Sequence, residues 1–213
     1  MPDQNPIHLL GLYDSPFVRR VAITLHLYEL PFEHTSLSVF RHMDAMRHLN
    51  PLFKVPMLTL PTGENLYESA YILDTLDEMA REQGRAALTP PAGTPRRAVQ
   101  QAAALAMVAV EKAVAIAYEY RRPTELVWQD WLARSRQQMR QALMLLEAQL
   151  NANGEWLVGT QMTQADISAA VTLGFIHFTV PEEWPHGVFS ALEALARRLE
   201  NTPAFRAVPV DKT

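Results

Sequence analysis

Apolar and polar positions alternate on two different periods in the first eighty residues. Short apolar runs predict strands at 7–12, 32–37, 57–60 and 64–67. Amphipathic stretches predict helices at 16–29, 41–48 and 69–82. The order of elements, βαβ, then α, then ββα, predicts a small mixed sheet covered by helices.

Helical periodicity describes almost all of the remaining chain. The predicted helices cover 96–120, 124–151, 164–178 and 188–200. A segment rich in proline and glycine at 84–95 is typical of a linker. We therefore expect an α/β domain at 1–83 and an all-helical domain at 96–213. Trp128 and Trp131 lie three residues apart on a predicted helix and are expected to pack in the core of the helical domain.

Cysteine is absent from the 213 residues. Its absence excludes disulfides, thiolate metal sites and a cysteine nucleophile, so any reactive sulfur must arrive with a substrate. The net charge of −4 gives no electrostatic reason to expect nucleic acid or an anionic membrane as a partner. No signal peptide and no apolar run of membrane-spanning length are recognised, so a cytoplasmic protein is expected.

Ser15 follows the first predicted strand and precedes Pro16. This order places the serine at a helix N-cap, where the first backbone N–H groups lack partners and the helix dipole favours negative charge. Its hydroxyl is either a plain helix cap or also a donor to an anion held there. Tyr13 is an alternative donor, since the pattern does not fix the direction of its side chain.

Two later features each allow a structural and a functional interpretation. The Val55–Pro56 bond is either an ordinary trans bond at the start of a strand, or a cis bond that turns the Val55 backbone outward to pair with a peptide-like ligand. Glu68 and Ser69 open a predicted helix. They either cap it or clamp an amino acid, with Ser69 and nearby amides receiving the carboxylate and Glu68 pairing with the ammonium group.

Taken together, these features resemble the glutathione transferase family. The matching order is a strand, Ser-Pro and a helix, then Asn-Pro-Leu-Phe-Lys-Val-Pro at 50–56, a hairpin, and Glu-Ser opening a helix. The resemblance covers the whole chain. It implies a thioredoxin-like domain that binds glutathione, a linker and a C-terminal α-helical bundle. The segment 15–21 looks most like the serine-type enzymes, in particular the plant tau class and its bacterial relatives.

The resemblance implies a role for individual positions. Ser15 corresponds to the serine that donates a hydrogen bond to the glutathione sulfur. Val55 corresponds to the residue whose backbone pairs with the cysteinyl part, next to the cis-proline Pro56. Glu68 and Ser69 correspond to the pair that holds the γ-glutamyl end.

A basic group is expected at the glycyl carboxylate of glutathione. The resemblance implies Lys54 for this contact, with His42 as a second candidate at a position where the tau class frequently has lysine. Phe53 replaces a small or polar residue of the family, and it is expected to crowd the glycyl end.

The thiolate is expected to attack an electrophile held against the helical domain. Met107, Glu111 and Tyr118 are candidates for this second site because they fall on one helix face, and Phe17 is a further candidate. For Met107 ordinary core packing is the favoured explanation. Glu111 and Tyr118 are equally explained by a dimer contact or by solvent exposure.

Thr163 and Asp166 form a predicted capping box at the start of a helix. In this motif the Thr163 hydroxyl and the Asp166 carboxylate satisfy each other's backbone N–H groups. The same segment looks like a capping box in the helical domain of the family. We interpret it as a folding element and assign no catalytic role to Asp166.

The sequence therefore predicts an enzyme of detoxification that conjugates glutathione, its co-substrate, to small hydrophobic electrophiles. No permanently bound cofactor and no metal are expected. A homodimer is implied by the resemblance only. The alternatives are a non-catalytic glutathione-binding protein on the same fold, and a glutathione-dependent isomerase or peroxidase that uses the same thiolate.

Overall fold

A computed structural model of the chain describes residues 5–210. They form two compact units, one made of residues 5–87 with 202–210 and the other of residues 88–201. The sequence placed the end of the chain in the helical domain, whereas the structure places 202–210 in the first unit.

The first unit contains a four-stranded mixed sheet and its helices. Its elements are β1 (Ile7–Leu10), α1 (Pro16–Leu27), β2 (Phe32–Thr35), α2 (Met43–Leu49), β3 (Met57–Thr59), β4 (Asn65–Tyr67), α3 (Ser69–Glu82) and α8 (Pro203–Arg206). The strand order is β2-β1-β3-β4. β1 runs parallel to β2 and antiparallel to β3, and β3 and β4 form the predicted hairpin.

Polar groups on α1, and on Tyr28 directly after it, connect this helix to the rest of the first unit. The Tyr28 hydroxyl donates to the buried carboxylate of Asp77 on α3. Arg19 Nε donates to the carbonyl of Val208 at 2.9 Å, and its guanidinium lies 5.6 Å from the centre of the Phe205 ring. The contacts of Arg19 explain why the end of the chain belongs to this unit.

The second unit is entirely helical, as the periodicity predicts. It contains α4 (Gly93–Glu119), α5 (Gln129–Asn153), α6 (Gln164–Thr179) and α7 (Ser190–Glu200), with short 3₁₀ turns at Thr124–Leu126 and Pro181–Glu183. α4 begins inside the predicted linker. It is also long and apolar enough to cross a membrane, contrary to our interpretation of the sequence. Because α4 packs against both α5 and α6, we interpret it as a core helix.

Trp128 is not a core residue, although its spacing from Trp131 suggested that it would be. Its exposed fraction is 61%, and its ring stacks on the half-buried ring of Trp131 with centroids 6.3 Å apart. The reason is that α5 begins only at Gln129, so Trp128 is the extended residue before the helix. Helical periodicity therefore does not govern the direction of its side chain.

The predicted capping box is present at the start of α6. Oδ2 of Asp166 accepts from the backbone N–H of Thr163 at 2.8 Å and from its hydroxyl at 2.9 Å. Oδ1 accepts from the N–H of Leu157 at 2.8 Å. Burial raises the pKa of Asp166, and these hydrogen bonds oppose that effect.

Gly11 lies where β1, the first turn of α1 and the segment before β3 meet. Its φ is +134°, and a Cβ atom built there would lie 2.5 Å from Cγ2 of Val18 and 2.9 Å from Cβ of Val55. Its N–H donates to the carbonyl of Thr35 at 3.0 Å, and its carbonyl accepts from Nε2 of His34 at 2.6 Å. Only a residue without a side chain fits against the side chains of Val18 and Val55 at this positive φ.

We expect Asp166→Ala to lower the free energy of unfolding by about 2–4 kcal/mol, because it leaves several buried donors without an acceptor. Urea unfolding followed by circular dichroism measures this change. Asp130→Ala is the matched control, since Asp130 is an exposed acid in the first turn of α5. It is expected to cost less than about 1 kcal/mol. Equal losses in the two variants would contradict a special role of the capping box.

We expect Gly11→Ala to destabilise the protein by about 1–3 kcal/mol or more, because the added methyl group forces apart Val18 and Val55. Thermal unfolding measures the effect. Gly63→Ala separates the clash from the backbone strain, since Gly63 also has a positive φ of +86° but no atom within 4 Å of the point that an added Cβ would occupy. A Gly63→Ala variant as unstable as Gly11→Ala would show that crowding is not the cause.

Candidate functional site

Ser15 is the N-cap residue of α1, as predicted, and Pro16 is the first helical residue. Its backbone is extended, with φ −73° and ψ 119°, and its Oγ accepts from the N–H of Val18 at 3.5 Å. A serine oxygen can accept at its lone pairs while its hydrogen donates elsewhere. The hydroxyl thus caps the helix and retains a hydrogen for an anion at the positive end of the helix dipole.

Tyr13, the alternative donor, lies in the same turn between β1 and α1. Its ring stacks on the ring of His34 in β2, with centroids 4.1 Å apart and planes inclined by 4°. The hydrogen bond from His34 to the Gly11 carbonyl fixes the partner ring in turn. This stack gives Tyr13 a packing role that the sequence did not reveal.

The Val55–Pro56 peptide bond is cis. The segment before it is organised by Asn50, whose side chain is buried. Oδ1 of Asn50 accepts from the N–H of Leu52 at 3.0 Å, and Nδ2 donates to the carbonyl of Lys54 at 2.5 Å. Sequence reasoning used Asn50 only as the first residue of the segment at 50–56 that resembles the family, and it gave the side chain no role. The available signal was an asparagine before a proline, which favours turns closed by the asparagine side chain.

Phe53 has a positive φ of +52° and is half-buried. Its side chain packs against a core cluster of Leu10, Met46 and Met57. The guanidinium of Arg47 lies 5.9 Å from the centre of its ring. Packing against this cluster gives the ring a structural role, which the expectation of crowding at the glycyl end did not include.

Lys54 and His42 are both exposed. His42 immediately precedes α2, and its Nδ1 accepts from the N–H of Ser38 at 3.1 Å. In a neutral imidazole this contact assigns the proton to Nε2, which is then the donor. Either residue can therefore present a donor to an anion at the surface.

Glu68 and Ser69 stand at the start of α3. Glu68 is the N-cap residue with a positive φ of +68°, and it makes no side-chain cap hydrogen bond. Ser69 is fully buried, and its hydroxyl donates to Oε1 of Glu68 at 3.3 Å. This geometry combines a helix N-terminus, a hydroxyl and a carboxylate, which suits an amino-acid carboxylate and ammonium group.

Arg20 on α1 contacts this pair and was not assigned a role from the sequence. Its exposed fraction is 2%, and its Nη2 donates to Oγ of Ser69 at 2.7 Å. Burial lowers the pKa of Arg20 to about 10, and the nearby carboxylate of Glu68 opposes this shift. The available signal was the pair Arg19-Arg20 within a largely apolar stretch of the predicted helix, because arginine is rarely buried without a partner.

The candidates for the electrophile site are divided between the two units. Phe17 is half-buried in the first turn of α1. Met107, Glu111 and Tyr118 all belong to the continuous helix α4, where Met107 is half-buried and the other two are exposed. Within residues 5–210, no three His, Asp or Glu side chains form a group that could hold a metal ion.

Family models for two glutathione S-transferase domains match the chain. The model of the N-terminal domain matches residues 9–84, and the model of the C-terminal domain matches residues 129–201. A curated relative, an uncharacterized GST-like protein from Escherichia coli, is 28% identical over 80% of this chain and 82% of its own length. Glutathione S-transferase U7 of Arabidopsis thaliana is 32% identical over 38% of this chain and 35% of its own length.

Solved structures match both units. A glutathione S-transferase from Methylobacterium radiotolerans, in complex with glutathione sulfonate, is 30% identical with a TM-score of 0.89, covering 98% of this chain and 97% of the other. A glutathione transferase family member from Pseudomonas fluorescens, with bound glutathione, is 31% identical with a TM-score of 0.82, covering 96% of this chain and 99% of the other. With its mixed α/β sheet domain, its helical domain and these matches, the chain belongs to the glutathione S-transferase family.

Proposed function

We propose that this protein conjugates glutathione to small hydrophobic electrophiles, with Ser15 stabilising the glutathione thiolate. The observation that carries the proposal is the position of Ser15 at the N-cap of α1 with a hydroxyl hydrogen available to a ligand. The bound glutathione of the Pseudomonas fluorescens relative supports glutathione as the co-substrate.

Glutathione would be held along the first unit in three parts. The γ-glutamyl end would meet Glu68 and Ser69 at the start of α3. The backbone of Val55, beside the cis-proline Pro56, would pair with the cysteinyl part as an added strand does. The glycyl carboxylate would meet Lys54 or His42. This assignment is supported by the position of Glu68 and Ser69 at the N-terminus of α3, which agrees with the family resemblance.

The energetics of thiol ionisation suit a single hydroxyl donor. A free thiol has a pKa of about 8.5, and lowering it by about two units needs roughly 2.7 kcal/mol. A hydrogen bond to a charged group contributes about 1.5–3 kcal/mol, and the dipole of α1 adds to it. The hydroxyl of Ser15 therefore favours the thiolate without acting as a base.

The remaining parts of the proposal rest on the sequence and the family. Phe17, Met107, Glu111 and Tyr118 are proposed to contact the electrophile. The protein is proposed to act in the cytoplasm as a homodimer in detoxification.

We expect Ser15→Ala to lower kcat/KM near neutral pH by about 10- to 100-fold, because the thiolate loses its charge-assisted hydrogen bond. The substrates of the assay are glutathione and chlorodinitrobenzene. The pKa of bound glutathione, titrated by the ultraviolet absorbance of its thiolate, is expected to rise by about one to two units. Glutathione affinity measured below that pKa should change little.

Two variants control this experiment. Ser15→Thr keeps a hydroxyl and a helix cap, so it should retain most of the shift in thiol pKa. Tyr13→Phe removes the competing hydroxyl and should leave the thiol pKa unchanged. A rise in the thiol pKa in Tyr13→Phe and not in Ser15→Ala would transfer the role to Tyr13. Glutathione binding without turnover in every variant, wild type included, would favour a non-catalytic binding protein.

We expect Lys54→Met to weaken glutathione binding by about 2- to 5-fold, since an exposed ion pair with the glycyl carboxylate contributes little. Calorimetry with glutathione and with its glycyl ethyl ester measures the effect. The ester lacks the charge, so Lys54→Met should not change its affinity. His42→Gln serves as the parallel variant, and a larger selective loss there would assign the contact to His42.

A further inference from the structure

Arg20 is a buried cation at the base of the γ-glutamyl clamp, the pair formed by Glu68 and Ser69. It lies five residues after Ser15 on α1, its exposed fraction is 2%, and it donates to the fully buried hydroxyl of Ser69. A buried guanidinium carries a large desolvation penalty, which a neutral side chain of similar length would avoid. Since burial lowers the pKa of Arg20 only to about 10, the group is charged at neutral pH.

The contact with Arg20 determines what the Ser69 hydroxyl can do. A guanidinium has donors and no acceptor, so Oγ of Ser69 must accept from it. The hydrogen of Ser69 therefore points elsewhere, and Oε1 of Glu68 at 3.3 Å receives it. Ser69 is held as a donor to anions, with a positive charge behind it that strengthens its O–H dipole.

We propose that Arg20 is a positioning residue that commits Ser69 to donate its hydrogen to the α-carboxylate of the γ-glutamyl group. The assignment rests on the proposed function of this site. When the carboxylate binds, the hydroxyl hydrogen turns from Glu68 to the ligand. Glu68 is then left as an acceptor for the ligand's ammonium group. Arg20 acts through Ser69.

The opposing interpretation is that Arg20 only joins α1 to α3. Two ligands separate these interpretations: glutathione, and γ-aminobutyryl-cysteinyl-glycine, which keeps the amino group and lacks the α-carboxylate. A loosened contact between α1 and α3 would weaken the binding of both ligands alike. Loss of the carboxylate contact would weaken the binding of glutathione alone, because only glutathione carries that group.

The test is calorimetric binding of both ligands to wild type and to Arg20→Met. We expect the variant to bind glutathione about 10- to 100-fold more weakly, the size of a lost charge-assisted hydrogen bond. The affinity for the analogue should fall by less than about 3-fold, because the analogue lacks the carboxylate that Ser69 would contact. In steady-state assays KM for glutathione should rise while kcat changes little, in contrast to Ser15→Ala.

Arg19→Met is the matched control, because it removes a neighbouring buried guanidinium whose Nε donates to the carbonyl of Val208. It should affect the two ligands equally. Arg20→Lys keeps the positive charge and loses the planar guanidinium, so its loss of glutathione affinity relative to the analogue should be smaller. If Arg20→Met does not fold, Arg20→Lys decides between the two interpretations. Equal weakening of both ligands in the Arg20 variants would overturn the proposal. Failure of wild type to bind glutathione at all would overturn the proposed function itself.

Discussion

The first unit depends on the missing side chain at Gly11. With φ at +134° and no Cβ atom, this residue allows Val18 of α1 and Val55 of the loop before β3 to approach the end of β1. That approach places the start of α1, which carries Ser15, beside the segment that carries the cis bond. Two candidate binding elements far apart in sequence therefore lie side by side because a single position has no side chain.

Two helix N-termini contribute to the electrostatics of this site. α1 and α3 each begin shortly after a strand, at Pro16 and Ser69, and each brings the positive end of its dipole to a serine hydroxyl. The two serines differ in their surroundings. Ser15 is partly exposed and caps its own helix, whereas Ser69 is fully buried and accepts from a charged guanidinium. One is thus suited to a reacting atom and the other to holding a ligand.

Local signals in the sequence were sufficient for most of the fold and part of the site. The capping box at Thr163 and the N-cap at Ser15 follow from residue order, because caps are formed by residues within one turn. The start of α3 at Ser69 follows from the amphipathic period of that helix, since its N-cap residue makes no side-chain cap hydrogen bond. Periodicity wrongly predicted a core position for Trp128, because α5 begins only at the next residue, Gln129. It could not reveal that the side chain of Asn50 closes the loop before the cis bond.

The sequence by itself determined the two kinds of domain and the serine at the helix start, because strand and helix periods and caps are local properties. The family came from the resemblance of its motifs. Only the tertiary structure decided that Arg20 donates to the hydroxyl of Ser69, 49 residues away in sequence. It also decided that Arg19 binds the carbonyl of Val208, so that the end of the chain belongs to the first unit. The physical reason is that a buried charge finds its partner across helices, and no pattern of neighbouring residues encodes that pairing.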